Sequence, residues 1–378
     1  MPVGWLPMES DGVALVAAPS GTLATRAADF VWPLLLASLT LPCARDAAAQ
    51  RTVPLGSPAP FRLDQWTTEH GLPQNSVTAL AETPDGYLWV GTFGGLARFD
   101  GTSFTLVERR DSAGRHIDRV LSLAVGSDSI LWIGTESGLL RRRGTRYDSY
   151  TTAEGLPSDE ITLLHVDRGG VLWIGTPRGL VRFVNDRFVA LSEVDGKPVG
   201  TVLLIVEDRR GTLWLETSDG IVLIDATGAG TRRLPAAAAG QRMLLEDRAG
   251  ARWFRRTSGV ARLGASGDSM RDFGPADSVP RPARMLEDPA VEGGYWLITT
   301  SDGLSYALLD GSRPVVRRYP LPDGNLRYRV RAELVDRGGN VWFGIDAGGL
   351  VRVKRNLFTT YTAAEGLSHG VTTAVYED

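Results

Sequence analysis

The chain has 378 residues, of which 43% are hydrophobic and 22% are charged, a composition that excludes a largely disordered protein. Its 41 basic and 44 acidic side chains leave a formal net charge of −3. That balance lacks the basic excess of a nucleic-acid-binding domain, and we expect no nucleic-acid partner.

The first fifty residues form a region apart. Phe30–Ala44 reads FVWPLLLASLTLPCA, an apolar run that is too short and too interrupted by proline to span a bilayer comfortably. Arg26 precedes the run, and small residues that suit signal peptidase follow it at Ala47–Ala49. We predict that residues 1–50 are a secretory signal peptide ending near Ala49. An uncleaved N-terminal extension or membrane anchor is the alternative.

Cysteine usage is consistent with export. Cys43 is the only cysteine, and it lies inside the predicted signal, so the mature chain would carry no thiol. This excludes disulfides and cysteine metal sites from the mature chain, and it suits an oxidising compartment such as the periplasm.

A tryptophan phrase recurs along the rest of the chain. It reads LWVGTFGGLARFDG at Leu88–Gly101, LWIGTESGLL at Leu131–Leu140, LWIGTPRGLVRF at Leu172–Phe183 and VWFGIDAGGLVRV at Val341–Val353. Seven tryptophans mark the repeat at intervals of 39 to 46 residues: Trp89, Trp132, Trp173, Trp214, Trp253, Trp296 and Trp342. A period in the forties is typical of propellers and solenoids.

Each repeat divides into four short strands. In the third repeat the strands are Ile161–Asp167, Val171–Thr176, Leu180–Val184 and Arg187–Leu191. The first strands of the other repeats are Val77–Glu82, Val120–Val125, Thr201–Asp208, Arg242–Asp247, Arg284–Asp288 and Arg331–Asp336. We therefore predict an all-β fold, a seven-bladed β-propeller of four-stranded antiparallel blades over residues 61–378, with the tryptophans packed between blades. In Asp-x-x-Gly segments such as Asp167–Gly170, the Asp is predicted to bond to the turn backbone.

Strand counting leaves the closure of the ring open. Phe61–Thr67 (FRLDQWT) and Leu357–Thr362 (LFTTYT) both read as outer strands, and they compete for one position in the seventh blade. Gly370–Asp378 matches the first strand of a further repeat but stops before its tryptophan. We interpret the chain as a fragment with a truncated repeat from residue 370.

These phrases carry a family resemblance. LWVGTFGGLARFDG, with Glu69–Asn75 (EHGLPQN) and Glu154–Pro157 (EGLP), resembles the two-component regulator propeller repeat. Similar proteins carry two such propellers in the periplasm, followed by a β-sandwich, a membrane helix and a histidine kinase. The resemblance implies that this chain is the first propeller in the periplasmic sensor region of a hybrid sensor histidine kinase, membrane-anchored and dimeric in full length. The implied partner is an unknown extracellular ligand, with carbohydrates as one class.

Three repeats depart from the family phrase. Leu215–Thr217, Phe254–Arg256 and Leu297–Thr300 stand where Gly-Thr is expected, and these blades are expected to shape the binding face. No stretch resembles a kinase phosphoacceptor helix or an ATP-binding glycine box. We therefore expect no kinase activity in this chain.

The residues that could carry chemistry do not form a known catalytic or metal pattern. The four histidines are His70, His116, His165 and His369, and none pairs at metal-ligand spacing. We predict no catalytic residue, no metal and no cofactor. His70 and His369 are expected on one rim of the channel, and His165 at the channel or at a blade interface.

Ligand binding is expected at one mouth of the channel, without an assignment to individual residues. The loops placed there are Glu69–Ser76, Glu154–Glu160, Glu365–Gly370, Phe93–Gly95, Glu136–Gly138, Pro177–Gly179, Ser218–Gly220 and Asp346–Gly349. Their amides, carboxylates, Arg178 and Phe93 suit sugars or peptides. The leading interpretation is a ligand-sensing module for transmembrane signalling. The alternatives are a periplasmic propeller enzyme, such as a lyase or a glycan-acting protein, and a protein-interaction scaffold.

Overall fold

The computed structural model describes residues 61–107, 117, 119–126, 128–228, 230–234, 242–267, 269–274, 278–300, 303–309 and 314–355. All of them lie in one compact unit, Gln50–Asp378. The predicted signal at residues 1–50, the outer strand at Leu357–Thr362 and the partial repeat from residue 370 lie outside the described residues.

Seven four-stranded antiparallel sheets make up the described fold, which is the predicted all-β, seven-bladed propeller. The N-terminal strand is β1 (Phe61–Trp66). Blade 1 contains β2 (Val77–Glu82), β3 (Leu88–Thr92), β4 (Gly95–Phe99) and β5 (Phe104–Leu106). Blade 2 contains β6 (Val120–Val125), β7 (Leu131–Thr135), β8 (Gly138–Arg143) and β9 (Arg146–Tyr150). Blade 3 contains β10 (Leu163–Val166), β11 (Leu172–Thr176), β12 (Gly179–Val184) and β13 (Arg187–Leu191).

A two-stranded hairpin, β14 (Glu193–Val194) and β15 (Lys197–Pro198), separates the third blade from the fourth. Blade 4 contains β16 (Val202–Glu207), β17 (Leu213–Thr217), β18 (Gly220–Ile224) and β19 (Thr231–Arg233). Blade 5 contains β20 (Arg242–Glu246), β21 (Arg252–Arg256), β22 (Gly259–Leu263) and β23 (Met270–Phe273). Blade 6 contains β24 (Arg284–Glu287), β25 (Gly294–Ile298), β26 (Leu304–Leu308) and β27 (Val315–Tyr319). Blade 7 contains β28 (Val330–Val335), β29 (Val341–Ile345) and β30 (Gly349–Arg355), with β1 as its fourth strand.

Helical structure in the described ranges is confined to single 3-10 turns at Thr68–His70 and Thr152–Glu154. Within those ranges, no helix has the length and apolar character needed to cross a membrane.

The tryptophans pack between blades, as predicted. Trp89 of blade 1 lies in a cluster with Val120 and Leu131 of blade 2, and Trp342 of blade 7 lies in a cluster with Val77 and Val90 of blade 1. Six of the seven are at most 5% exposed. The large apolar area of each indole is therefore removed from water at a junction between sheets, which holds neighbouring blades together.

A carboxylate in the first turn fixes most of these indoles. In blade 3, Asp167 accepts the backbone N–H of Val171 on one oxygen and the indole N–H of Trp173 on the other, both at 2.8 Å. The same pair of bonds recurs with Asp208 and Trp214, Asp247 and Trp253, and Asp336 and Trp342. The predicted turn role of the Asp is confirmed, and the carboxylate also sets the rotamer of a buried tryptophan.

The Thr of the Gly-Thr pair and the glycine three residues after it form the second hairpin. The Thr176 hydroxyl donates to the carbonyl of Gly179 at 3.0 Å and accepts the N–H of Arg178 at 3.2 Å. Gly179 has a φ of 119°, which favours glycine, and the equivalent Gly138 has a φ of 143°, where an added Cβ would lie 2.7 Å from the Tyr150 carbonyl oxygen. The Thr and this later glycine are thus both required by one tight turn.

The N-terminal strand closes the ring. β1 pairs with β30 in antiparallel register from Phe61 opposite Arg355 to Trp66 opposite Leu350. The ring of Phe61 lies 5.0 Å from that of Trp296 and 4.6 Å from that of Tyr306 in blade 6. Of the two competing outer strands, the one at Phe61–Thr67 occupies the position in blade 7.

Backbone-to-carboxylate contacts join several blades at the end of the ring that carries the first hairpins. In each, the N–H of the residue after the turn Asp donates to a Glu of the next blade; we call these contacts latches. They run from Arg168 to Glu207, Arg209 to Glu246, Arg248 to Glu287 and Arg337 to Glu82, at distances of 2.6 to 3.2 Å. Charged hydrogen bonds of this kind stabilise a junction more than neutral ones do.

Candidate functional site

The predicted binding loops meet at the opposite end of the ring, which we call the mouth. The Ser76 hydroxyl, in the loop that enters blade 1, donates to Asp346 of blade 7 at 2.8 Å. Arg178 donates to the carbonyl of Pro157 at 3.2 Å, and Thr201 donates to the carbonyl of Pro177 at 3.4 Å. The loops that enter the first strands of blades 1, 3 and 4 therefore contact second hairpins, and together they form one rim. Glu365–Gly370 lies outside the described residues.

An aromatic ring and two guanidinium groups lie where blades 7, 1 and 2 meet at the mouth. The half-buried Phe93 ring has Arg119 at 5.0 Å and Arg331 at 5.2 Å from its centroid. Arg119 pairs with Glu136 at 2.5 Å, and Arg331 pairs with Asp346 at 2.6 Å. Burial raises the pKa of Asp346, but hydrogen bonds from Arg331 and Ser76 outweigh it and hold that pKa below the usual range. Here each cation has its own carboxylate.

Blades 4 and 5 carry charges where blades 1, 2, 3 and 7 carry glycine. A Cβ at Gly91 would lie 2.6 Å from Val120 of the next blade, and one at Gly344 would lie 2.6 Å from Val77. The equivalent residues in blades 4 and 5 are Glu216 and Arg255. The sequence departures at Leu215–Thr217 and Phe254–Arg256 therefore change the inner ends of two adjacent blades.

These charges form a compact group with Arg242, which we call the blade 4–5 cluster. A Glu216 oxygen contacts a terminal nitrogen of Arg242 and lies 3.5 Å from a terminal nitrogen of Arg255. The Glu216 and Arg255 side chains are only 14% and 13% exposed. Arg255 Nε is buried and has no hydrogen-bond partner in the described part of the chain. Burial lowers the pKa of Arg255, Glu216 opposes that shift, and Arg242 and Arg281 reinforce it.

A small pocket of about 10 Å³, room for about one water molecule, lies beside the cluster. Its walls combine Glu216 and Arg242 with the apolar side chains of Leu204, Ile221 and Met243 and with Trp214. Trp214 is the one repeat tryptophan that is not fully buried, and its ring lies 6.0 Å from that of Phe254 in blade 5. Sequence reasoning did not find this pocket, although the lost Gly-Thr pair was its signal.

The histidines in the described part of the chain have structural environments. His70 Nδ1 accepts the N–H of Thr67 at 3.1 Å and so caps the short turn on the rim. His165 lies at the interface of blades 3 and 4, with Nε2 3.6 Å from a Glu207 oxygen. Burial lowers its pKa against the opposing effect of Glu207 and Asp167. No group of potential metal ligands occurs among the described residues, and His116 and His369 lie outside them.

Residues 71–94 and 155–178 match the two component regulator propeller family. Two of the seven repeats thus match the repeat model of this family. Each matched segment of the propeller runs from a rim loop through the first two strands to the second hairpin, and thus includes both halves of the mouth. No curated protein gives a significant match to the sequence.

Several solved structures are similar to this chain. The extracellular domains of two proteins described as hybrid two component systems, both from B. thetaiotaomicron, share 18% identity with it, at TM-scores of 0.62 and 0.57. They match 79% and 81% of this chain and 42% and 44% of their own. A virginiamycin B lyase from Staphylococcus aureus shares 16% identity at a TM-score of 0.56, over 78% of this chain and 100% of its own. The chain thus spans less than half the length of the two extracellular domains, and these likenesses show the fold alone.

Proposed function

We propose that this chain is the extracytoplasmic, ligand-sensing propeller of a two-component signalling protein, exported to the periplasm and controlling a histidine kinase that lies outside the chain. The family repeats support this proposal. So do the similar folds in the extracellular domains of hybrid two component systems.

The observation that carries the binding role is the construction of the mouth. Its loops are joined across blades by contacts such as Ser76 to Asp346 and Thr201 to Pro177, so that the rim is preorganised. The rim presents an aromatic ring, guanidinium groups and carboxylates, which are the groups that bind polar ligands with aliphatic faces, such as sugars. A preorganised site loses little entropy when the ligand binds.

The test has a binding arm and a signalling arm. Calorimetric titration of the purified chain with neutral and acidic oligosaccharides is expected to give saturable binding. In the longer protein that this proposal requires, reconstituted in vesicles, the same oligosaccharide is expected to change kinase autophosphorylation. Binding that leaves phosphorylation unchanged would overturn the sensor assignment.

An enzyme is the second candidate, because the propeller fold also occurs in a virginiamycin B lyase. One solved form of that lyase is inactivated by replacement of a histidine. In the part of this chain that the structure describes, His70 caps a turn and His165 lies between blades, so neither lies in the blade 4–5 cluster. Incubation with the bound oligosaccharide, followed by mass spectrometry, decides between the two roles: cleavage products would favour the enzyme.

A further inference from the structure

We propose that the blade 4–5 cluster, Glu216 with Arg242 and Arg255, is an oxyanion-binding subsite that takes the carboxylate or sulfate group of an acidic sugar. The inference rests on the proposed ligand-sensing function and names the ligand class for it. The cluster carries more positive than negative charge.

The cluster differs from the other ion pairs at the mouth in its ratio of guanidinium groups to carboxylates. Arg119 is matched by Glu136, Arg331 by Asp346 and Arg284 by Glu333. In the cluster, two guanidinium groups face one carboxylate, and Arg281 adds a further positive charge to the field at Arg255. Partly buried charge that exceeds its counter-charge is costly, and an incoming anion removes that cost.

Arg255 has guanidinium N–H groups available to donate hydrogen bonds to such an anion. Among the described residues it forms one ion pair, a 3.5 Å contact with Glu216, and its shielded Nε has no partner there. A guanidinium group carries five N–H donors in a planar fork that matches two oxygens of a carboxylate or sulfate. Arg242, directly opposite Arg255 in the β20–β21 register, places a second fork beside the first.

Two half-buried apolar side chains beside the cluster would contact the remainder of a sugar. Trp214 offers part of its indole face, and Leu204 lines the same small pocket. A sugar ring has aliphatic faces that pack on such surfaces, while its acidic substituent would reach the two arginines. Recognition would then combine apolar contact with a paired charge.

Substitution of Glu216 is expected to change ligand affinity in the opposite direction to substitution of the arginines. Its carboxylate now occupies the guanidinium groups that the ligand would use, so it competes with an acidic ligand and weakens its binding. The substitution Glu216→Gln is therefore expected to tighten binding of an acidic sugar, whereas Arg255→Gln and Arg242→Gln are expected to loosen it. A cluster with a purely structural role predicts no such reversal of sign.

The experiment titrates the purified chain with four probes: a galacturonate trisaccharide, a sulfated disaccharide, a neutral galactose trisaccharide and inorganic sulfate. At least one acidic sugar is expected to bind more tightly than the neutral one, and the first two arms distinguish carboxylate from sulfate. Arg255→Gln is expected to weaken that binding roughly tenfold to hundredfold, the range of a lost charged hydrogen bond. Added salt is expected to weaken it as well.

Arg318→Gln is the matched control, since it removes the same charge from an exposed position on β27, the outer strand of blade 6. Thermal melting checks that each variant folds. If Glu216→Gln melts at a lower temperature than the parent chain, Glu216→Gly is used instead. It removes the same carboxylate and introduces the glycine that blades 1, 2, 3 and 7 carry at this position. Arg242→Gln serves likewise if Arg255→Gln does not fold.

The outcomes separate this inference from the proposed function. Equal binding of acidic and neutral sugars, no binding of any acidic probe, or acidic binding that both arginine variants leave unchanged overturns the oxyanion subsite. If the neutral sugar still alters kinase phosphorylation, the sensor function stands without the subsite. Arginine-dependent binding of an acidic sugar with no effect on phosphorylation supports the subsite and overturns the sensor function.

Discussion

Removal of the Phe61 side chain tests whether β1 closes the ring. Phe61 is 6% exposed, and its ring contacts the rings of Trp296, Tyr306 and Tyr319 in blade 6, at centroid distances of 5.0, 4.6 and 5.8 Å. The guanidinium of Arg355 lies 5.1 Å from the same ring. Phe61→Ala would leave a cavity at the junction of the first strand with the sixth and seventh blades. We expect it to lower the free energy of unfolding by about 3–5 kcal/mol.

The assay is equilibrium unfolding in urea, followed by tryptophan fluorescence, with midpoints compared at equal slope. Phe104→Ala is the control, because Phe104 also lies on an outer strand but is only half-buried. Its expected cost is on the order of 1 kcal/mol. Deletion of Phe61–Trp66 is expected to lower the free energy of unfolding more than Phe61→Ala does, since it also removes the strand that pairs with the outer edge of β30. If Phe61→Ala unfolds at the same urea concentration as the parent chain, the closing role of β1 is wrong.

Three further predictions concern single polar groups. Tyr306→Phe should cost about 1–3 kcal/mol because it removes a 2.8 Å bond to the buried Asp288, whereas Tyr319→Phe should be neutral or stabilising because that buried hydroxyl has no partner among the described residues. Paired urea unfolding checks both. Burial raises the pKa of Tyr319 to about 12, so ionisation of this hydroxyl opposes folding, and stability should fall as the pH rises from the ordinary tyrosine pKa towards 12. Burial also raises the pKa of Tyr295, Tyr306 and Tyr328, so an absorbance titration should show several tyrosines ionising late, and Tyr319→Phe should remove one of them. The pKa of Asp346 is lowered, so its contribution is present at neutral pH and is lost as the pH falls through the folded value; Asp346→Asn should flatten the acid limb of stability against pH, and an unchanged limb would contradict the assignment.

The sequence predicts the repeated part of the fold well because each repeat solves the same packing problem. A tryptophan, a turn Asp and a Gly-Thr pair recur at fixed offsets, and each has one local role that its residue type reveals. Asp167 with Trp173 shows this, since both bonds of that carboxylate stay within six residues of chain. Local determinants of this kind can be read from one sequence.

The closure and the candidate subsite could not be predicted in the same way, because both depend on residues far apart in the chain. Phe61 and Arg355 are paired across the whole ring, and no spacing rule distinguishes β1 from a second outer strand. Glu216 and Arg255 look like failures of the repeat when each is taken alone. Their opposite charges meet only because adjacent blades place equivalent positions side by side.

The latches are present at some junctions between blades and missing at others. In blades 1 and 6 the latch position is Pro84 or Pro289, which has no N–H to donate. The receiving residue of the following blade is then Val125 or Val335 rather than a Glu. Blades 3 to 6 therefore form one arc that latches tie together, and this arc includes the blade 4–5 cluster. The junction of blade 6 with blade 7 is held in another way, by the aromatic cluster around Phe61 and Trp296 and by the ion pairs of Arg284 with Glu333 and Arg355 with Asp288. The strand that closes the ring thus replaces, at its own junction, the bond that proline removes.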